Sequence, residues 1–547
     1  MPNFRFAVAQ INPIVGDFSG NLELIKLEIA AAAAKGAELI CFGEMSLSGY
    51  PIEDLAQRPD FLEKAEAALH QLRSWVSTEF PDITVVVGLP TKVTSSHSNW
   101  AIAHNSAAVI QNGKITGLYH KHHLPNYSVF DEYRVFKSGN QTLSFNIGEL
   151  KIALAICEDI WQVGGPVAAA ASLGVDLLLV LNGSPFERSK SEARLELARD
   201  VAKRENVAVA YINLVGGQDD LVFDGGSFVI SAEEVLIGRL PQFDCGLGVF
   251  DFISKREIRF HGTSVSNQTE NWQIWNALKL GLRDYVEKNG FRSVLLGLSG
   301  GIDSAVCAAI AVDAIGADRV FGVLMPSRYS SAHSVSDAED LAKRLSITVS
   351  TEPIQTLVDS FANQLDLSGL ALENIQARVR GSLLMAISNS SGHLVLTTGN
   401  KTEIAVGYST IYGDSVGGFA PLKDVEKTLV WSLANWRNSQ AKLIGQVEPI
   451  PENSITKPPS AELREDQKDQ DSLPEYEVLD AILAGYLERR MSFDQLVDEG
   501  FDEVTVDKVI RLVDSAEWKR RQGAIGPKIS GMAFGRDRRH PITSRYR

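Results

Sequence analysis

One stretch of this chain, from Leu295 to Ile310, constrains its fold and function more than any other: LLGLSGGIDSAVCAAI. It predicts a buried strand, a tight glycine turn and a helix that begins near Asp303 and Ser304. The two central glycines permit a sharp bend in which successive backbone N–H groups face an anion, and the helix N-terminus adds positive potential. The pattern therefore predicts a phosphate site, and we interpret it as part of a nucleotide site.

The turn differs from the two commonest nucleotide-binding loops. The Walker pattern places a lysine before the serine or threonine at the helix start, and the dinucleotide fingerprint is G-x-G-x-x-G, whereas this chain has S-G-G-I-D-S. Asp303 stands where the Walker lysine would be, and a carboxylate beside a triphosphate is repulsive unless a divalent cation lies between them. We therefore interpret Asp303 as a ligand of Mg²⁺. The simpler alternative is a glycine-rich turn with a capping Ser or Asp.

The S-G-G-x-D-S form resembles the loop of the ATP pyrophosphatases. That resemblance implies that ATP is a substrate, cleaved to AMP and pyrophosphate while a carboxylate or carbonyl group is activated, with Mg²⁺ as cofactor. It also implies an α/β domain with a doubly wound, Rossmann-like parallel sheet. The residues of this stretch predicted to contact ATP are Gly297, Leu298, Ser299, Gly300, Gly301, Ile302, Asp303 and Ser304.

Charge and cysteine content exclude several classes of protein. The 547 residues carry a formal net charge of −15, which argues against nucleic acid or a membrane surface as a partner, because both require a basic field. The four cysteines are widely spaced and form no C-x-x-C pair, so they predict neither a disulfide framework nor a zinc site. The N-terminus does not have the pattern of a secretory signal. We expect a cytoplasmic protein that acts on small molecules.

Short β-rich runs alternate with helical runs along the chain, which is typical of α/β folds. Val167–Leu181 predicts a helix followed by a buried strand and not a membrane span. The polar stretch His261–Asn271 separates two such regions, so we predict domains at residues 1–262 and 263–547. The second has the strand–helix rhythm of a parallel sheet, whose ligands bind at the carboxyl ends of strands. Between Pro449 and Pro474, a segment rich in proline and charge predicts a mobile loop of the kind that covers active sites.

A second set of candidate residues lies in the first domain. Cys157 ends the apolar strand KIALAI, and a thiol at a strand end acts as a nucleophile if a base takes its proton. Taken alone, a cysteine is more often a small buried apolar residue. Glu44 and Lys121 also follow apolar strands, although either could be a surface residue. The neighbouring histidines of KHH do not indicate zinc, because side chains alternate along a strand and no cysteine joins them.

Glu, Lys and Cys at three strand ends, in this order, resemble the nitrilase superfamily, whose members hydrolyse or transfer at carbon–nitrogen bonds. The resemblance implies an αββα sandwich for residues 1–262. Glu44 would deprotonate the thiol of Cys157 and later a water, and the ammonium of Lys121 would stabilise the oxyanion. Glu132, in FDEYR, fits the second glutamate that supports such sites, or it could belong to a solvated acidic turn.

Together, the two halves resemble the glutamine-dependent NAD⁺ synthetase family over nearly the whole chain. The resemblance implies that glutamine is hydrolysed to glutamate and ammonia, that ATP adenylylates deamido-NAD⁺, and that ammonia displaces AMP to give NAD⁺. It also implies an ammonia channel and a homo-oligomer. The family's glutamine-binding residues correspond to Tyr127, Ser184 and Lys190, its other ATP contacts to Thr398 and Lys427, its deamido-NAD⁺ contacts to Asn374, Glu403 and Lys528, and its Mg²⁺ ligands to Asp303 and Glu403.

Three alternatives compete with this interpretation. Other glutamine-dependent ligases of the pyrophosphatase group, such as GMP or asparagine synthetases, resemble different amidase domains that lack the Glu-Lys-Cys set. Pyrophosphatase loops also occur in tRNA-modifying enzymes, but the acidic charge of this chain disfavours a nucleic-acid substrate. A non-catalytic scaffold would have lost its nucleophile or base, and both are present here. Ser184 could also be an ordinary turn residue and Lys190 a surface charge.

Overall fold

The computed structural model describes residues 4–93, 102–266 and 268–543. The chain forms two compact units, one comprising Met1–Gln218 and Val222–Gln268 and the other Asp219–Leu221 and Thr269–Arg547. The predicted boundary, between residues 262 and 263, lies a few residues before this division. Among the described helices, none is both long enough and apolar enough to cross a membrane.

The first unit contains fifteen strands and five helices among its described residues. The strands are β1 Phe4–Gln10, β2 Leu39–Phe42, β3 Thr84–Lys92, β4 Ala103–Gln111, β5 Lys114–His120, β6 Ser144–Ile147, β7 Leu150–Ile156, β8 Leu177–Asn182, β9 Ala208–Asn213, β10 Val215–Gln218, β11 Leu221–Asp224, β12 Phe228–Ile230, β13 Leu236–Arg239, β14 Gly246–Phe252 and β15 Ile258–Phe260. The helices are α1 Phe18–Ala34, α2 Pro59–Glu79, α3 Glu132–Val135, α4 Gly165–Ser172 and α5 Lys190–Glu205, and 3₁₀ turns cover Glu53–Gln57 and Cys157–Ile160.

These elements build four layers. A seven-stranded sheet of order β15-β14-β1-β2-β3-β4-β5 faces a six-stranded sheet of order β13-β12-β9-β8-β7-β6. Side chains alternate along β1, so Phe6 and Val8 enter the core between the sheets, whereas Ala7 pairs with helices α1 and α2 on the outer face. Helices α4 and α5 cover the outer face of the second sheet. The predicted αββα sandwich is confirmed, as is the helix and buried strand predicted for Val167–Leu181.

The strand directions bring the predicted residues to one end of this sandwich. Strands β2 and β3 run parallel, and β5 returns to the same direction through the antiparallel β4. In the other sheet, β7, β8 and β9 are parallel. The backbone N–H of Glu44, after β2, donates to the carbonyl oxygen of Asn182 at the end of β8, at 3.3 Å. The carboxyl ends of both sheets therefore meet at the residues that follow β2, β5 and β7.

The second unit contains twelve helices and four strands among its described residues. They are α6 Glu270–Lys288, β16 Val294–Gly297, α7 Ile302–Ile315, β17 Val320–Leu324, α8 Ala332–Leu345, β18 Thr348–Thr351, α9 Gln355–Leu365, α10 Gly369–Ser391, β19 Leu394–Val395, α11 Lys401–Val406, α12 Lys427–Leu443, α13 Glu452–Thr456, α14 Tyr476–Leu483, α15 Phe493–Asp498, α16 Glu503–Ser515 and α17 Glu517–Arg520. Short 3₁₀ turns cover Ala317–Arg319 and Asp469–Asp471, and a π-helical turn covers Ala484–Glu488.

The sheet of this unit is parallel throughout, with the order β18-β17-β16-β19. The chain moves outward from β16 through β17 to β18, and then crosses back to place β19 on the other side of β16. In an open parallel sheet, this reversal leaves a crevice at the carboxyl ends of the two central strands. The loops that border it are residues 298–301, after β16, and residues 396–400, after β19. The predicted α/β architecture is confirmed, and it places the glycine turn at the crevice.

The proline-rich segment between Pro449 and Pro474 is only partly a loop. It contains helix α13 and the 3₁₀ turn Asp469–Asp471, and the rest is irregular. Glu462 accepts hydrogen bonds from the hydroxyls of Ser331, at 3.0 Å, and Ser334, at 2.6 Å. Ser331 caps helix α8, and Ser334 lies in its first turn. The segment is therefore anchored beside the sheet, and its mobility stays a prediction.

Candidate functional site

In the first unit, a lysine lies between two carboxylates. The Nζ of Lys121 is 2.8 Å from Oε1 of Glu44 and 2.7 Å from Oε2 of Glu132. Lys121 and Glu44 are 0% exposed and Glu132 is 4% exposed. Burying three charged groups is costly unless they pair with one another and satisfy their hydrogen bonds. The structure therefore brings three of the four predicted catalytic residues into one buried cluster.

Neutral donors complete the cluster, and the sequence analysis missed them. The side-chain amide of Asn105, on β4, donates to Glu44 Oε1 at 2.6 Å and to Glu132 Oε1 at 3.3 Å. The hydroxyl of Tyr50 donates to Glu132 at 2.8 Å, and the backbone N–H of Gly183 donates to Glu44 Oε2 at 2.7 Å. The sequence gives only a weak indication of Asn105, which is a polar residue at the start of the mainly apolar run NSAAVI. Each carboxylate is thus fixed in orientation before any substrate binds.

Cys157 lies beside this cluster on a strained turn. Strand β7 ends at Ile156, and the 3₁₀ turn Cys157–Ile160 begins at the cysteine. Cys157 has a φ of +44°, which costs free energy in a residue with a Cβ and persists only where surrounding contacts fix it. Its side chain is 7% exposed and packs at the edge of the core between the sheets. This placement fits the predicted nucleophile.

Burial and neighbouring charges set the protonation states. Burial and the charge of Glu44 raise the pKa of the Cys157 thiol well above its usual value, and Lys121 offsets only part of that effect. Burial also raises the pKa of Glu132 to about 7. Although burial acts to lower the pKa of Lys121, the carboxylates of Glu132 and Glu44 hold it well above its usual value. The resting thiol is therefore protonated, Lys121 is an ammonium, and the reaction needs a base to take the thiol proton.

The structure connects two of the three predicted glutamine-binding residues to the segments that carry Cys157 and Glu44. The Tyr127 hydroxyl donates to Oε2 of Glu158, the residue after the cysteine, at 2.8 Å. Ser184 is buried and follows Gly183, the residue that donates to Glu44. Lys190 begins helix α5 and is partly exposed. Tyr127 is thus connected to the segment of Cys157 through Glu158, and Ser184 to Glu44 through Gly183. The glutamine-binding roles of all three residues stay predictions.

In the second unit, the glycine turn has the geometry that the sequence predicts. Gly300 has a φ of +78°, and a Cβ at this position would lie 2.3 Å from the carbonyl oxygen of Ser334. The hydroxyl of Ser299 accepts from the backbone N–H of Gly301 at 3.2 Å, and the hydroxyl of Ser304 lies 3.2 Å from it. Helix α7 begins immediately after the turn. Only glycine fits at position 300, and the turn presents hydroxyl and N–H groups at a helix N-terminus.

A cavity of about 350 Å³ opens at this turn. Its walls come from the turn, the loop after β19, helix α10 and the segment between Pro449 and Pro474. Among the predicted ATP and Mg²⁺ residues, it is lined by Gly297, Leu298, Ser299, Gly301, Ile302, Asp303, Ser304, Thr398, Glu403 and Lys427. Gly300 supports the turn from behind. A cavity of this size at the sheet's crevice is suited to a small-molecule ligand.

A second lysine between two carboxylates lies in the wall of this cavity. The Nζ of Lys427 donates to Oδ2 of Asp303 and, at 3.3 Å, to Oε1 of Glu403. Asn400, which caps helix α11, donates to Asp303 Oδ1 at 2.8 Å. Tyr476 contributes a ring whose centre is 5.3 Å from the ammonium. Burial raises the pKa of Glu403 to about 8. The ammonium of Lys427 opposes this effect, and the charge of Asp303 adds to it.

The carboxylates of Asp303 and Glu403 fit a Mg²⁺ ion that also binds phosphate. Both carboxylates contact the ammonium of Lys427, so a single cation at that position is within reach of both. Within residues 4–93, 102–266 and 268–543, no three His, Cys, Asp or Glu side chains form a metal site by themselves. Mg²⁺ typically takes one or two carboxylates and completes its six ligands with water and substrate phosphates. The donor set is therefore adequate only with a phosphate-bearing substrate.

Asn374 and Lys528 lie outside the cavity lining. Asn374, on α10, accepts from the hydroxyl of Thr410 at 2.8 Å, and Thr410 does line the cavity. Lys528 is buried and pairs with Asp537 at 2.9 Å. Arg380, also on α10, lines the cavity. The roles of Asn374 and Lys528 stay predictions.

Relatives of this chain with both halves are known. Residues 5–256 match the carbon-nitrogen hydrolase family model, and residues 274–523 match the NAD synthase family model. The chain is 46% identical over 555 residues to the glutamine-dependent NAD(+) synthetase of Acinetobacter baylyi, with 100% of this chain and 99% of that protein covered. It is 42% identical to the glutamine-dependent NAD(+) synthetase of Aquifex aeolicus, with 99% of each covered.

Solved structures give the same result. The glutamine-dependent NAD+ synthetase from Acinetobacter baumannii, solved in complex with adenosine diphosphate, has a TM-score of 0.77 and 42% identity, covering 98% of each chain. A glutamine-dependent NAD(+) synthetase from Cytophaga hutchinsonii has a TM-score of 0.83 at 23% identity, covering 99% of this chain and 98% of that one, and so shares the fold. This chain therefore belongs to the glutamine-dependent NAD⁺ synthetase family, ATP-dependent amidating ligases that combine a glutaminase unit of the carbon-nitrogen hydrolase type with an NAD synthase unit.

Proposed function

We propose that Cys157 is the nucleophile that releases ammonia from glutamine in residues 1–262. The Glu44 carboxylate takes the thiol proton while Sγ attacks the side-chain amide carbon of glutamine. The carbonyl oxygen becomes an oxyanion and is stabilised by the ammonium of Lys121. The amide nitrogen takes the proton from Glu44 and leaves as ammonia, which gives a thioester. Glu44 then deprotonates a water that hydrolyses the thioester to glutamate and restores the thiol.

The observation that carries this assignment is the buried cluster of Lys121 with Glu44 and Glu132 beside Cys157. Glu132 pairs with the ammonium independently of Glu44, so the lysine stays charged and fixed in place while Glu44 exchanges protons. We further assign the binding of glutamine to Tyr127, Ser184 and Lys190. The hydrogen bond from Tyr127 to Glu158 supports the first of these, because it puts a hydroxyl and a carboxylate next to the nucleophile.

In residues 263–547, we propose that ATP binds with its phosphates on the turn at 297–304 and against Thr398 and Lys427. The nicotinate carboxylate of deamido-NAD⁺ attacks the α-phosphate, pyrophosphate leaves, and the bond between oxygen and phosphorus forms the adenylate. Ammonia then attacks the activated carbonyl carbon and AMP leaves with its oxygen, giving NAD⁺. Asn374, Glu403 and Lys528 are assigned to the deamido-NAD⁺ substrate. The helix N-terminus at Asp303 and the ammonium of Lys427 offset the phosphate charge.

Asp303 and Glu403 are the proposed ligands of Mg²⁺, which would neutralise charge on the phosphates and the leaving pyrophosphate. The convergence of both carboxylates on one cation position supports this. Lys427 holds that position in the free protein, and its flexible stem allows it to follow the phosphates when a metal is bound.

The coupling, assembly and location of the enzyme complete the proposal. Ammonia released at Cys157 passes to the adenylate without leaving the protein, because in water at neutral pH it would become ammonium, which is not nucleophilic. We also propose a homo-oligomer and a cytoplasmic location. The latter is supported by the role proposed for Cys157, whose thiol has to stay reduced for catalysis.

Substitution of the nucleophile tests the division of labour. Cys157→Ala should lose NAD⁺ synthesis from glutamine and keep synthesis from ammonium chloride, measured with purified protein, deamido-NAD⁺, ATP and Mg²⁺. The exposed Cys245 offers a matched control, Cys245→Ala, which should keep both reactions. Loss of both reactions in a folded Cys157→Ala protein would mean that the cysteine serves the synthetase half, and the proposal would be wrong.

Removal of one carboxylate tests the metal assignment. Asp303→Asn should lower synthesis from either nitrogen source by about 100-fold and shift the Mg²⁺ dependence to higher concentrations, while glutamine hydrolysis continues. Asp313, later on the same helix, pairs with Arg437, and Asp313→Asn should leave the Mg²⁺ dependence unchanged. An unchanged Mg²⁺ titration in Asp303→Asn would remove this residue from the metal site.

A further inference from the structure

One buried carboxylate next to the nucleophile has no part in the chemistry described above. Asp159, two residues after Cys157, is 0% exposed and accepts four hydrogen bonds. Oδ2 accepts from the backbone N–H of Ile156 at 3.0 Å and from the hydroxyl of Tyr119 at 2.7 Å. Oδ1 accepts from the backbone N–H groups of His122 at 3.1 Å and His123 at 2.9 Å. Four neutral donors in these directions satisfy a buried carboxylate without a cation.

These donors come from the two segments that carry the reacting groups. Ile156 is the last residue of β7 and immediately precedes Cys157. His122 and His123 immediately follow Lys121, and Tyr119 lies two residues before it on β5. The two strands belong to different sheets of the sandwich. One side chain therefore fastens the turn of the nucleophile to the segment of the oxyanion-stabilising lysine.

The contact to Ile156 also bears on the strain at the cysteine. The φ of +44° at Cys157 is disfavoured for a residue with a Cβ, and such a conformation persists only where surrounding contacts fix it. The Asp159 carboxylate closes the turn by bonding the N–H just before that residue. Without this bond, the chain at Cys157 would relax toward the ordinary β or α regions and would move the sulfur relative to Lys121.

We propose that Asp159 is a positioning residue for glutamine hydrolysis, which sets the distance between the Cys157 sulfur and the Lys121 ammonium. The inference rests on the roles proposed above for those two residues. It does not require contact between Asp159 and glutamine. It predicts that loss of the carboxylate lowers the rate of the chemical step and leaves glutamine affinity unchanged, because misplacement of a reacting group by about 1 Å costs roughly 100-fold in rate.

Asp159→Asn affects the hydrogen bonds to the lysine segment and to the nucleophile turn differently. The asparagine oxygen will face His122 and His123, whose two backbone N–H groups are donors only. The NH₂ group then faces the Tyr119 oxygen, which accepts a hydrogen bond after its hydroxyl rotates, and the Ile156 N–H, which it repels. The variant therefore keeps the lysine segment in place and releases the nucleophile turn.

The experiment measures kcat and KM for glutamine, and kcat with ammonium chloride, in four full-length proteins. Asp159→Asn should lower kcat with glutamine by about 100-fold, keep KM within about 3-fold, and keep the ammonia-dependent kcat. Tyr119→Phe removes one of the four donors and should lower kcat with glutamine by about 5-fold. Asp176→Asn is the control, since Asp176 accepts the backbone N–H of Lys151 at the opposite end of β7, at 3.0 Å, and all three constants should stay unchanged.

Three results would overturn the inference: an unchanged kcat with glutamine in Asp159→Asn, a rise in KM that accounts for the whole loss, or an equal loss with ammonium chloride. If Asp159→Asn does not fold, Tyr119→Phe decides, and an unchanged kcat in that variant would contradict the inference. Cys157→Ala, the fourth protein, separates this from failure of the proposed function. Glutamine-dependent activity in that variant would refute the assignment of the nucleophile itself.

Discussion

The two units use the same grouping of side chains in two different ways. In the first, Lys121 lies between Glu44 and Glu132, and all three are buried and hydrogen-bonded. In the second, Lys427 lies between Asp303 and Glu403, whose side chains are 18% exposed and border a cavity of about 350 Å³. The first cluster is complete without a ligand, whereas the second leaves room for a metal ion and phosphates.

This difference fits the chemistry proposed for each unit. Amide hydrolysis through a thioester needs only protein groups, and electrostatic stabilisation is strongest when those groups are fixed before the substrate arrives. The proposed transfer of the adenylyl group would use a metal ion and a charged substrate, so Asp303 and Glu403 would exchange the ammonium of Lys427 for the metal. A buried cluster with satisfied hydrogen bonds favours amide hydrolysis, and a cluster in a cavity wall favours the reaction with ATP.

The lysines provide the most severe test of this comparison. Lys121→Ala should lower glutamine-dependent synthesis by about 1,000-fold or more, keep the ammonia-dependent reaction, and destabilise the protein by about 3–5 kcal/mol, because two buried carboxylates lose their counter-ion. Lys427→Ala should lower both reactions. Lys203, in an exposed pair with Glu234, is a control, and Lys203→Ala should change neither. Activities with each nitrogen source and the midpoint of thermal unfolding check these outcomes.

The comparison would be broken by the reverse result. If Lys121→Ala lowered synthesis from ammonium chloride as much as synthesis from glutamine, the first cluster would not be a separate catalytic site. If Lys427→Ala affected only the glutamine reaction, the second cluster would not serve ATP.

The glycine turn tests whether any part of the nucleotide site is also formed in advance. Gly300→Ala should lower the ammonia-dependent rate by about 100-fold, because the new Cβ would lie 2.3 Å from a backbone oxygen at a φ of +78°. Gly301→Ala is the matched control, since its Cβ would lie 3.3 Å from the Ser299 hydroxyl and its φ is ordinary, and it should cost less than about 10-fold. Equal effects of the two substitutions on the ATP dependence would contradict a preformed turn.

The pH dependence of glutamine hydrolysis tests the buried cluster of the first unit, because Glu132 belongs to that cluster and titrates near neutral pH. Burial raises the pKa of this carboxyl from its usual 4.5 to about 7. The ionised form holds the Lys121 ammonium in place, so the rate of glutamine hydrolysis should rise with pH through about 7. Folding favours the protonated form, so its contribution to stability is present below pH 4.5 and is lost as the pH rises through about 7.

Glu132→Gln removes this titration and should give a rate about 10-fold lower at pH 8. Its pH profile should lack the inflection near 7 that Glu132 produces in the unmodified protein. Glutamate release is the appropriate measurement, because the ammonia-dependent rate itself changes with pH as ammonium is deprotonated. A profile of unchanged shape in Glu132→Gln would assign the inflection to another group.

Much of this architecture can be read from the sequence because local patterns determine it. The apolar run before Cys157 and the S-G-G-I-D-S turn each fix a strand end, and a strand end in a parallel sheet has a known position relative to its neighbours. These patterns predicted the parallel sheet and placed Glu44, Lys121 and Cys157 at strand ends. The sandwich and the grouping of those three residues came from the resemblance to the nitrilase superfamily, and the structure brings Glu44 and Lys121 within hydrogen-bond distance.

The residues that the sequence did not predict act through long-range contacts. Asn105 joins Glu44 and Glu132 from a third strand, and Asn400 reaches Asp303 from the loop after β19. Nothing in the sequence near an asparagine indicates which distant carboxylate it will bond. The same holds for Lys528, whose pairing with Asp537 depends on how the C-terminal segment folds back.

Substitution of Glu462, which anchors the proline-rich segment, tests the nucleotide cavity of the second unit and has the smallest expected effect. Glu462 bonds Ser331, Ser334 and Lys457, and Ser334 contacts the glycine turn through Gly300. Glu462→Gln keeps the shape but weakens these charge-assisted bonds, so KM for ATP should rise about 3- to 10-fold with little change in glutamine hydrolysis. The exposed Glu465 of the same segment is the control, and Glu465→Gln should leave KM for ATP unchanged. An effect of Glu462→Gln on glutamine hydrolysis larger than its effect on KM for ATP would show that this segment does not act on the nucleotide cavity.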